Sequence, residues 1–235
     1  MSQEQLDETR SALHGSRGAP VPEAGDRSQR RGWFREVLET LVLTLVIFFG
    51  VRGVVQSFRV DGNSMVPTLQ SGELLLVNKA VYWRTDAESP IAFLARGASG
   101  GNPDRYLFHA PVPGEVVVFA APRDPERDYI KRVIGVPGNT IEIRDGGVWR
   151  NGQRLNEPYL RDTPTEVYQG ESRWQVPPDH VFVLGDNRMG SSDSRAWGLV
   201  PVDNIVGKAT FTYWPVGEWG GIPSAVVPLR WATVR

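Results

Sequence analysis

The sequence predicts a mainly β protein that carries one N-terminal membrane-spanning helix. A nearly uninterrupted apolar segment occupies residues 37–55, close to the length that a membrane span requires. After Phe58 the chain changes to short runs rich in Val, Ile and Phe, separated by Gly, Pro and Asn. This later part shows no long amphipathic helical pattern and no internal repeat. Strands without accompanying helices indicate a barrel or a sandwich.

Composition limits the classes of function. A chain of 235 residues has room for one main folded domain and an appendage. Its formal net charge of −1 argues against a nucleic-acid-binding protein, which would carry an excess of basic residues. The absence of cysteine excludes disulfides, thiolate metal sites and cysteine nucleophiles together.

The first 32 residues are polar and have no apolar periodicity. We therefore expect residues 1–32 to form a disordered tail. Four arginines lie close to the start of the apolar segment, namely Arg27, Arg30, Arg31 and Arg35. The positive-inside tendency then predicts that this tail is cytoplasmic, although Arg52 and Arg59 lie on the other side.

Residues 33–56 are predicted to form a single transmembrane anchor. The apolar stretch is just long enough to span if the side chain of Arg52 extends to the membrane interface. Two alternatives remain, a buried core helix and a cleaved signal peptide. The second is disfavoured because the segment starts far from the N-terminus and no small-x-small site follows it. One span would place everything after it on the exported side.

Residues 57–235 are predicted to form an exported catalytic β domain. The clearest strand patterns cover residues 73–77, 115–119, 141–144, 181–184 and 209–213. Asn151-Gly152 follows Val148-Trp149-Arg150 and is the strongest hairpin pattern in the chain. Residues 82–110 interrupt the strands with a Gly-rich stretch, which predicts an insertion or long loop without an assigned role.

Ser64 and Lys131 are the candidate reactive pair. A serine hydroxyl needs a base to become a nucleophile, and a lysine amine can be that base when its pKa falls toward neutrality. Lys131 lies in the strand-like run 128–135, where alternation places it on the opposite face from Arg132. Apolar flanking residues make burial of Lys131 plausible, and burial would have to lower its pKa by roughly 2–3 units.

A third polar segment, residues 185–195, follows a predicted buried strand. It reads Gly-Asp-Asn-Arg-Met-Gly-Ser-Ser-Asp-Ser-Arg and combines two carboxylates, two guanidinium groups and several hydroxyls. Asp186 and Asp193 could in principle bind a metal. The nearby arginines would repel a cation and no histidine completes a ligand set, so no metal is expected.

Together these segments resemble the bacterial type I signal peptidases, which are Ser-Lys dyad serine proteases. The matching stretches, in chain order, are residues 64–69, 114–119, 129–138, 185–195, 197–201 and 205–209. They lie behind an apolar segment, and the resemblance extends from Val37 to Trp214. The resemblance implies a signal-peptidase-type β fold with a second β-rich lobe, and it implies no cofactor and no metal.

The resemblance also implies roles for individual residues. Ser64 would be the acylated nucleophile, Lys131 the general base that later activates the deacylating water, and Ser191 the partner that orients the lysine amine. Asp193, with Arg195 and Arg132, would form a supporting salt-bridge cluster. Met65 would lie beside the pocket for the small residue that precedes the cleaved bond.

Gly62 marks a point of variation within that family. Some members carry a serine there, two residues before the nucleophile, whose hydroxyl stabilises the oxyanion. Here the Ser64 N–H remains as a donor, and the second donor is left open.

The implied function is removal of N-terminal signal peptides from exported preproteins after small-x-small sequences. The expected partners are those preproteins and the lipid bilayer, and no nucleic acid is expected. The expected location is the plasma (inner) membrane, with one pass, a cytoplasmic N-terminus and the catalytic domain on the outer face.

Three other functions compete with this one. A Ser-His-Asp hydrolase would have to use His14 in the polar tail, His109 in the predicted insertion or His180 at the start of a predicted strand, and a structural role is expected for each. A self-cleaving repressor with a similar Ser-Lys pair is disfavoured by the apolar span. A catalytically silent, membrane-tethered peptide-binding protein of the same fold remains as the alternative.

Overall fold

The computed structural model of the chain describes residues 26–83, 106, 108–160, 163–168 and 170–224. Residues 1–25 of the predicted tail, and residues 84–105 and 107 of the predicted insertion, lie outside this part. The chain divides into two units, Met1–Phe49 and Gly50–Arg235.

The N-terminal helix α1 comprises Asp26–Val54 and begins seven residues before the predicted anchor. The added residues include arginines and a glutamine, which are good helix formers. Within it, Trp33–Val54 has a mean hydropathy of 2.0 over its most apolar window, and none of that window is buried in the described chain. Twenty-two residues extend about 33 Å, enough to cross a bilayer core of about 30 Å. This exposure favours a membrane span over the buried core helix.

Two threonines interrupt the apolar surface of α1 without leaving a free hydroxyl. Thr40 Oγ1 donates to the carbonyl of Glu36 at 2.9 Å, and Thr44 Oγ1 donates to the carbonyl of Thr40 at 2.7 Å. Their polar groups are therefore satisfied within the helix, as an apolar solvent requires.

The larger of two antiparallel sheets contains eight strands. In spatial order they run β1-β2-β11-β3-β4-β9-β10, and β12 pairs with β11. Their bounds are Val55–Arg59 (β1), Leu74–Asn78 (β2), Val116–Ala121 (β3), Asp124–Gly135 (β4), His180–Leu184 (β9), Val200–Pro201 (β10), Ile205–Trp214 (β11) and Gly220–Gly221 (β12).

The smaller sheet has the order β7-β6-β5-β8. Its strands are Thr140–Arg144 (β5), Gly147–Arg150 (β6), Gln153–Arg154 (β7) and Arg173–Gln175 (β8). Asn151 and Gly152 connect β6 to β7 with φ values of 53° and 76°. Positive φ at both turn residues is the geometry of a type I′ hairpin, so the predicted turn is confirmed.

Short helical segments complete the described chain. Helix α2 comprises Ser194–Trp197, and three 3₁₀ turns comprise Ala80–Tyr82, Val202–Asn204 and Val216–Glu218. Asp193 caps α2, because its side chain accepts a hydrogen bond from the Arg195 N–H. The fold is thus mainly β with one long apolar helix, and the predicted fold class is confirmed.

Strand β4 connects the buried clusters of the large unit. Ile130 packs against a cluster that contains Val60, while Tyr129 packs against a second cluster that contains Val133. Side chains of β4 therefore alternate between two cores, as the sequence predicts for a strand. Because both faces are packed, the backbone on either side of Lys131 is fixed.

Candidate active site

Ser64 lies in the turn that follows β1 and leads toward β2. Buried residues hold this turn on both sides, since Val60 is 4% exposed and Met65 and Leu69 are each 1% exposed. The backbone closes the turn, with Val60 N–H donating to the Glu73 carbonyl at 2.8 Å. Ser64 is thus presented on a short loop whose apolar neighbours point into the core.

The structure brings Ser64 and Lys131 together. Lys131 Nζ lies 2.7 Å from Ser64 Oγ, a hydrogen-bonding distance, and donates to the Ile130 carbonyl at 2.9 Å. Lys131 is 4% exposed, whereas Ser64 is half-buried. The hydroxyl therefore remains open to a reactant while its partner amine is shielded from water.

Burial lowers the pKa of Lys131 to about 8, because removal of water disfavours the ammonium form. The negative charges of Asp193 and Asp186 act in the opposite direction, since they stabilise the ammonium. Desolvation dominates, and a useful fraction of the amine is neutral near physiological pH. The pKa of Lys131 thus falls to the range that a general base needs near neutral pH.

Two buried arginine–carboxylate pairs stabilise the loop of residues 185–193, which precedes α2 and is called the supporting loop. Arg195 donates from Nε and Nη2 to the two carboxylate oxygens of Asp193, both at 2.8 Å. Arg132 makes the same bidentate arrangement with Asp186, at 2.9 and 2.6 Å. Bidentate charged pairs fix direction as well as distance, so the loop has little freedom.

The predicted single cluster of Asp193, Arg195 and Arg132 is therefore wrong in one partner. Arg132 pairs with Asp186 because β4 and β9 align Arg132 with Leu184, which places Asp186 just beyond the strand end. Asp193 is already occupied by Arg195 and by the Gly185 N–H, at 3.1 Å.

Asp186 also connects the loop to the Ser64 turn. Its carboxylate accepts a hydrogen bond from the Thr68 hydroxyl in addition to the two from Arg132. Arg132 in turn donates from Nη1 to the Gly114 and Pro223 carbonyls, both at 2.8 Å. The Arg132–Asp186 pair is thus a junction between three separate parts of the chain.

Ser191 lies in the same loop and is 2% exposed. No hydrogen bond between Ser191 and Lys131 is present, and no described group pairs with the Ser191 hydroxyl. The hydroxyl instead packs against Gly185, where a Cβ would overlap with both it and the Ser64 carbonyl. A buried hydroxyl without a partner is unfavourable, because it loses its hydrogen bonds to water and gains none from the protein.

A cavity of about 270 Å³ adjoins the Ser64–Lys131 pair. Its lining consists of Phe58, Arg59, Val60, Asp61, Ser64, Leu75, Val118, Asp128, Tyr129, Ile130, Lys131 and Ser192. Met65 is absent from this lining. It belongs to the buried cluster that also contains the lining residues Val60 and Leu75, so it supports the cavity wall from behind.

Two strand edges flank the cavity. Among the described strands β1 lies at the end of the large sheet, with β2 as its neighbour. In β4, residues 128–131 pair with β3, while the pairing of β4 with β9 begins only at Arg132. Backbone groups on these edges can pair with an extended peptide.

Sequence reasoning missed a third buried pair, between Arg188 and Glu157. Arg188 is 1% exposed and donates from both terminal nitrogens to the Glu157 carboxylate. The Arg132 guanidinium lies 4.1 Å from the centre of the Tyr159 ring, two residues after Glu157. In the sequence, Arg188 alone pointed to such a pair, because an arginine that is buried needs a carboxylate partner.

Neither a metal site nor a Ser-His-Asp triad is assembled in the part of the chain that the structure describes. Among the described residues no group of three or more His, Asp or Glu side chains is placed to hold a metal ion. The ring nitrogens of His109 contact the Ala110 carbonyl and Glu115, and that of His180 contacts the Pro178 carbonyl. Neither histidine is paired with Ser64, and His14 lies outside the described residues.

Comparison with known proteins gives a consistent result. The family described as "Signal peptidase, peptidase S26" matches residues 33–214. A signal peptidase I of Bacillus caldolyticus is 35% identical over 204 residues, covering 82% of this chain and 94% of the relative. A probable signal peptidase I-1 of Synechocystis sp. is 34% identical over 207 residues, covering 84% and 92%.

A solved structure of a signal peptidase I from Enterococcus faecalis is also similar. It is 34% identical with a TM-score of 0.38, and the match covers 43% of this chain and 98% of that one.

Proposed function

The chain belongs to the signal peptidase family, peptidase S26, and on that premise we propose that Ser64 is its nucleophile and Lys131 its general base. It is a serine peptidase with signal peptidase I activity, and its substrates are preproteins that carry signal peptides. The observation that carries the assignment of roles is the distance of 2.7 Å between Lys131 Nζ and Ser64 Oγ.

In the acylation step, neutral Lys131 accepts the hydroxyl proton as Ser64 Oγ attacks the carbonyl carbon of the scissile bond. The carbonyl oxygen becomes an oxyanion. When the C–N bond breaks, the Lys131 ammonium gives its proton to the leaving amine, which departs as the new N-terminus. Lys131 is neutral again, and the signal peptide is held as an ester on Ser64.

In the deacylation step, the same amine takes a proton from a water molecule that attacks the ester. The proton then passes to Ser64 Oγ as the ester bond breaks, which restores the hydroxyl and releases the signal peptide as a carboxylic acid that ionises in water. The ammonium exists transiently in both steps. We assign to Ser191 the role of accepting a hydrogen bond from it, since its buried hydroxyl has no described partner.

Charge on the substrate oxygen requires donors. Within the described part of the chain no other group uses the Ser64 N–H, which is therefore the donor we assign to the oxyanion. Gly62 offers no hydroxyl for this purpose.

Substrate would bind as an extended strand between residues 58–61 and 128–131, using the two open strand edges. The cavity of about 270 Å³ can accommodate the side chains beside the cleaved bond, and the expected cleavage after small-x-small sequences rests on the family membership. A proline placed beside the cleavage site, where it removes a backbone donor, should weaken cutting. Unimpaired cutting would contradict strand addition.

Helix α1 anchors the chain in a membrane. We propose a single pass through the plasma (inner) membrane, with the tail in the cytoplasm and residues 57–235 on the outer face. Because the chain has no cysteine, single cysteines can report its orientation. In intact cells a membrane-impermeant maleimide should label Ser172→Cys and leave Ser16→Cys unlabelled. The opposite pattern would contradict the topology.

The assignment of Ser64 and Lys131 is tested by cleavage of a preprotein with detergent-solubilised protein. Ser64→Ala and Lys131→Ala should each abolish cleavage while thermal unfolding stays cooperative. Ser172→Ala and Lys79→Ala are controls for the same changes away from the cavity, and should cleave like the parent. Full activity in Ser64→Ala or Lys131→Ala would overturn the catalytic assignment.

A further inference from the structure

Asn187 donates hydrogen bonds to the backbone carbonyl of Ser64 and to that of the preceding residue, Asn63. Its backbone N–H donates to the Ser64 carbonyl at 3.0 Å, and its side-chain Nδ2 donates to the Asn63 carbonyl at 3.0 Å. One residue of the supporting loop therefore holds the nucleophile segment at two consecutive peptide units.

The orientation of the Asn187 side chain is determined by its partners. The Gly190 N–H donates to Asn187 Oδ1 at 3.1 Å. A backbone N–H can only donate and a carbonyl can only accept, so Oδ1 must face Gly190 and Nδ2 must face Asn63. The amide is thus tied at both ends, and its donor is directed at the Asn63 oxygen.

The Asn63 carbonyl and the Ser64 N–H belong to the same planar peptide unit. A donor on the carbonyl oxygen withdraws electron density from that unit and makes its N–H a stronger donor, since hydrogen bonds in a chain reinforce one another. The same bond also fixes the plane of the unit, and hence the direction of the N–H.

We propose that Asn187 is a positioning residue that orients and polarises the 63–64 peptide unit, so that the Ser64 N–H stabilises the oxyanion. This inference rests on the proposed function, in which Ser64 is the nucleophile. Gly62 lacks a hydroxyl, so the Ser64 N–H carries a larger share of oxyanion stabilisation and its alignment matters more.

The first test separates substrate binding from catalysis. Asn187→Ala should lower kcat roughly 10- to 100-fold with little change in KM, less than the roughly 10²–10³-fold cost of losing an oxyanion donor outright. Because Lys131 is untouched, the pH midpoint of kcat/KM should not move. Asn204 is a matched control, since its Nδ2 also donates to a backbone carbonyl, that of Ala120, at 3.1 Å. Asn204→Ala should retain the parent kcat.

A second variant distinguishes positioning from simple support of the loop. Asn187→Asp keeps an acceptor for the Gly190 N–H but directs a negative oxygen at the Asn63 carbonyl. If Asn187 only stabilised the loop, Asp would be milder than Ala. The proposal requires Asp to be at least as damaging to kcat as Ala.

A peptide aldehyde provides a measurement that is independent of folding yield. The aldehyde forms a hemiacetal with Ser64, so its affinity includes the oxyanion donors, whereas the corresponding peptide alcohol forms no such adduct. In the active fraction of Asn187→Ala, aldehyde affinity should fall by roughly the same factor as kcat, and alcohol affinity should stay unchanged.

Equal losses for the aldehyde and the alcohol, or a parent-like kcat in Asn187→Ala, would overturn the inference. Those results would leave the proposed function intact as long as Ser64→Ala remained inactive. If Ser64→Ala were active, the proposed function would fail and this inference with it.

Discussion

Lys131 and Arg132 are consecutive in β4, yet their charged ends lie in different buried sites. Lys131 Nζ is 2.7 Å from Ser64 Oγ, while Arg132 makes a bidentate pair with Asp186. An amine can lose its proton when buried, but a guanidinium stays charged under all ordinary conditions. The strand therefore places a cation that can be neutralised beside the reacting hydroxyl and a permanent cation where it organises the supporting loop.

The pH dependence of the reaction should follow Lys131. The pKa of Lys131 is about 8, so the neutral amine that the mechanism needs becomes the major form above that pH. We expect log kcat/KM to rise with unit slope below pH 8 and to level off above it, with a midpoint near 8. Steady-state cleavage of a peptide substrate from pH 6 to 10 measures this. A midpoint that stayed near the ordinary lysine pKa of 10.5 would show that burial does not activate the amine.

The same burial should cost stability at neutral pH. The pKa of Lys131 is about 8 in the folded chain, whereas a lysine exposed to water, as in the unfolded chain, has a pKa of 10.5. Between these two pH values the unfolded chain therefore binds a proton that the folded chain lacks. Stability therefore rises with pH across this window, and the full penalty is present below about 8. Lys131→Met should be inactive, and about 1–3 kcal/mol more stable than the parent at pH 7, with the gain disappearing above pH 10.5.

Denaturant unfolding of the detergent-solubilised protein at pH 7 and pH 10.5 would measure this gain. Ser64→Ala is the natural control, because it is also inactive but keeps the buried amine. It should show no comparable gain at pH 7. A Lys131→Met protein less stable than the parent at both pH values would mean that the hydrogen bonds of the amine outweigh its desolvation.

Patterns within short stretches of the sequence predicted individual helices, strands and turns. The apolar segment predicted α1, the alternation around Lys131 predicted the two faces of β4, and Asn151-Gly152 predicted its hairpin. The family resemblance predicted that Ser64 and Lys131 act as a pair, and their side chains lie 2.7 Å apart. The partners of the arginines depended on strand register, which placed Asp186 rather than Asp193 beside Arg132. That choice is not encoded in any local pattern.

Removing one partner of the Arg132–Asp186 pair should cost far more stability than removing one partner of an exposed ion pair. Both side chains are fully buried, so removing one charge leaves the other without a partner in a dry site. We expect Asp186→Asn to lower the free energy of unfolding by roughly 3–5 kcal/mol. Asp124 pairs with Arg127 at the surface, so Asp124→Asn should cost less than about 1 kcal/mol. Denaturant unfolding of both variants compares them directly, and similar costs would contradict the assigned importance of burial.

The Glu157–Arg188 pair joins the supporting loop to the segment that follows the β6–β7 hairpin. Arg188 also donates from Nε to the carbonyl of Gly185 at 3.1 Å, so the Arg188 side chain holds the first residue of the loop in place. Glu157→Ala leaves the Arg188 guanidinium buried without its carboxylate. We expect a loss of roughly 3–5 kcal/mol in stability, and a fall in kcat even in the fraction that remains folded.

A double-mutant cycle separates the charge from the contact. Glu157→Ala combined with Arg188→Met removes both charges, so its cost in stability should be clearly smaller than the sum of the two single changes. The activity of the double variant should still be reduced, because Met cannot donate to Gly185. Glu142 pairs with arginines at the surface, and Glu142→Ala is the matched control for removing a carboxylate. Additive costs in the cycle would mean that the pair does not hold the loop, and that the Gly185 segment is fixed by its other contacts alone.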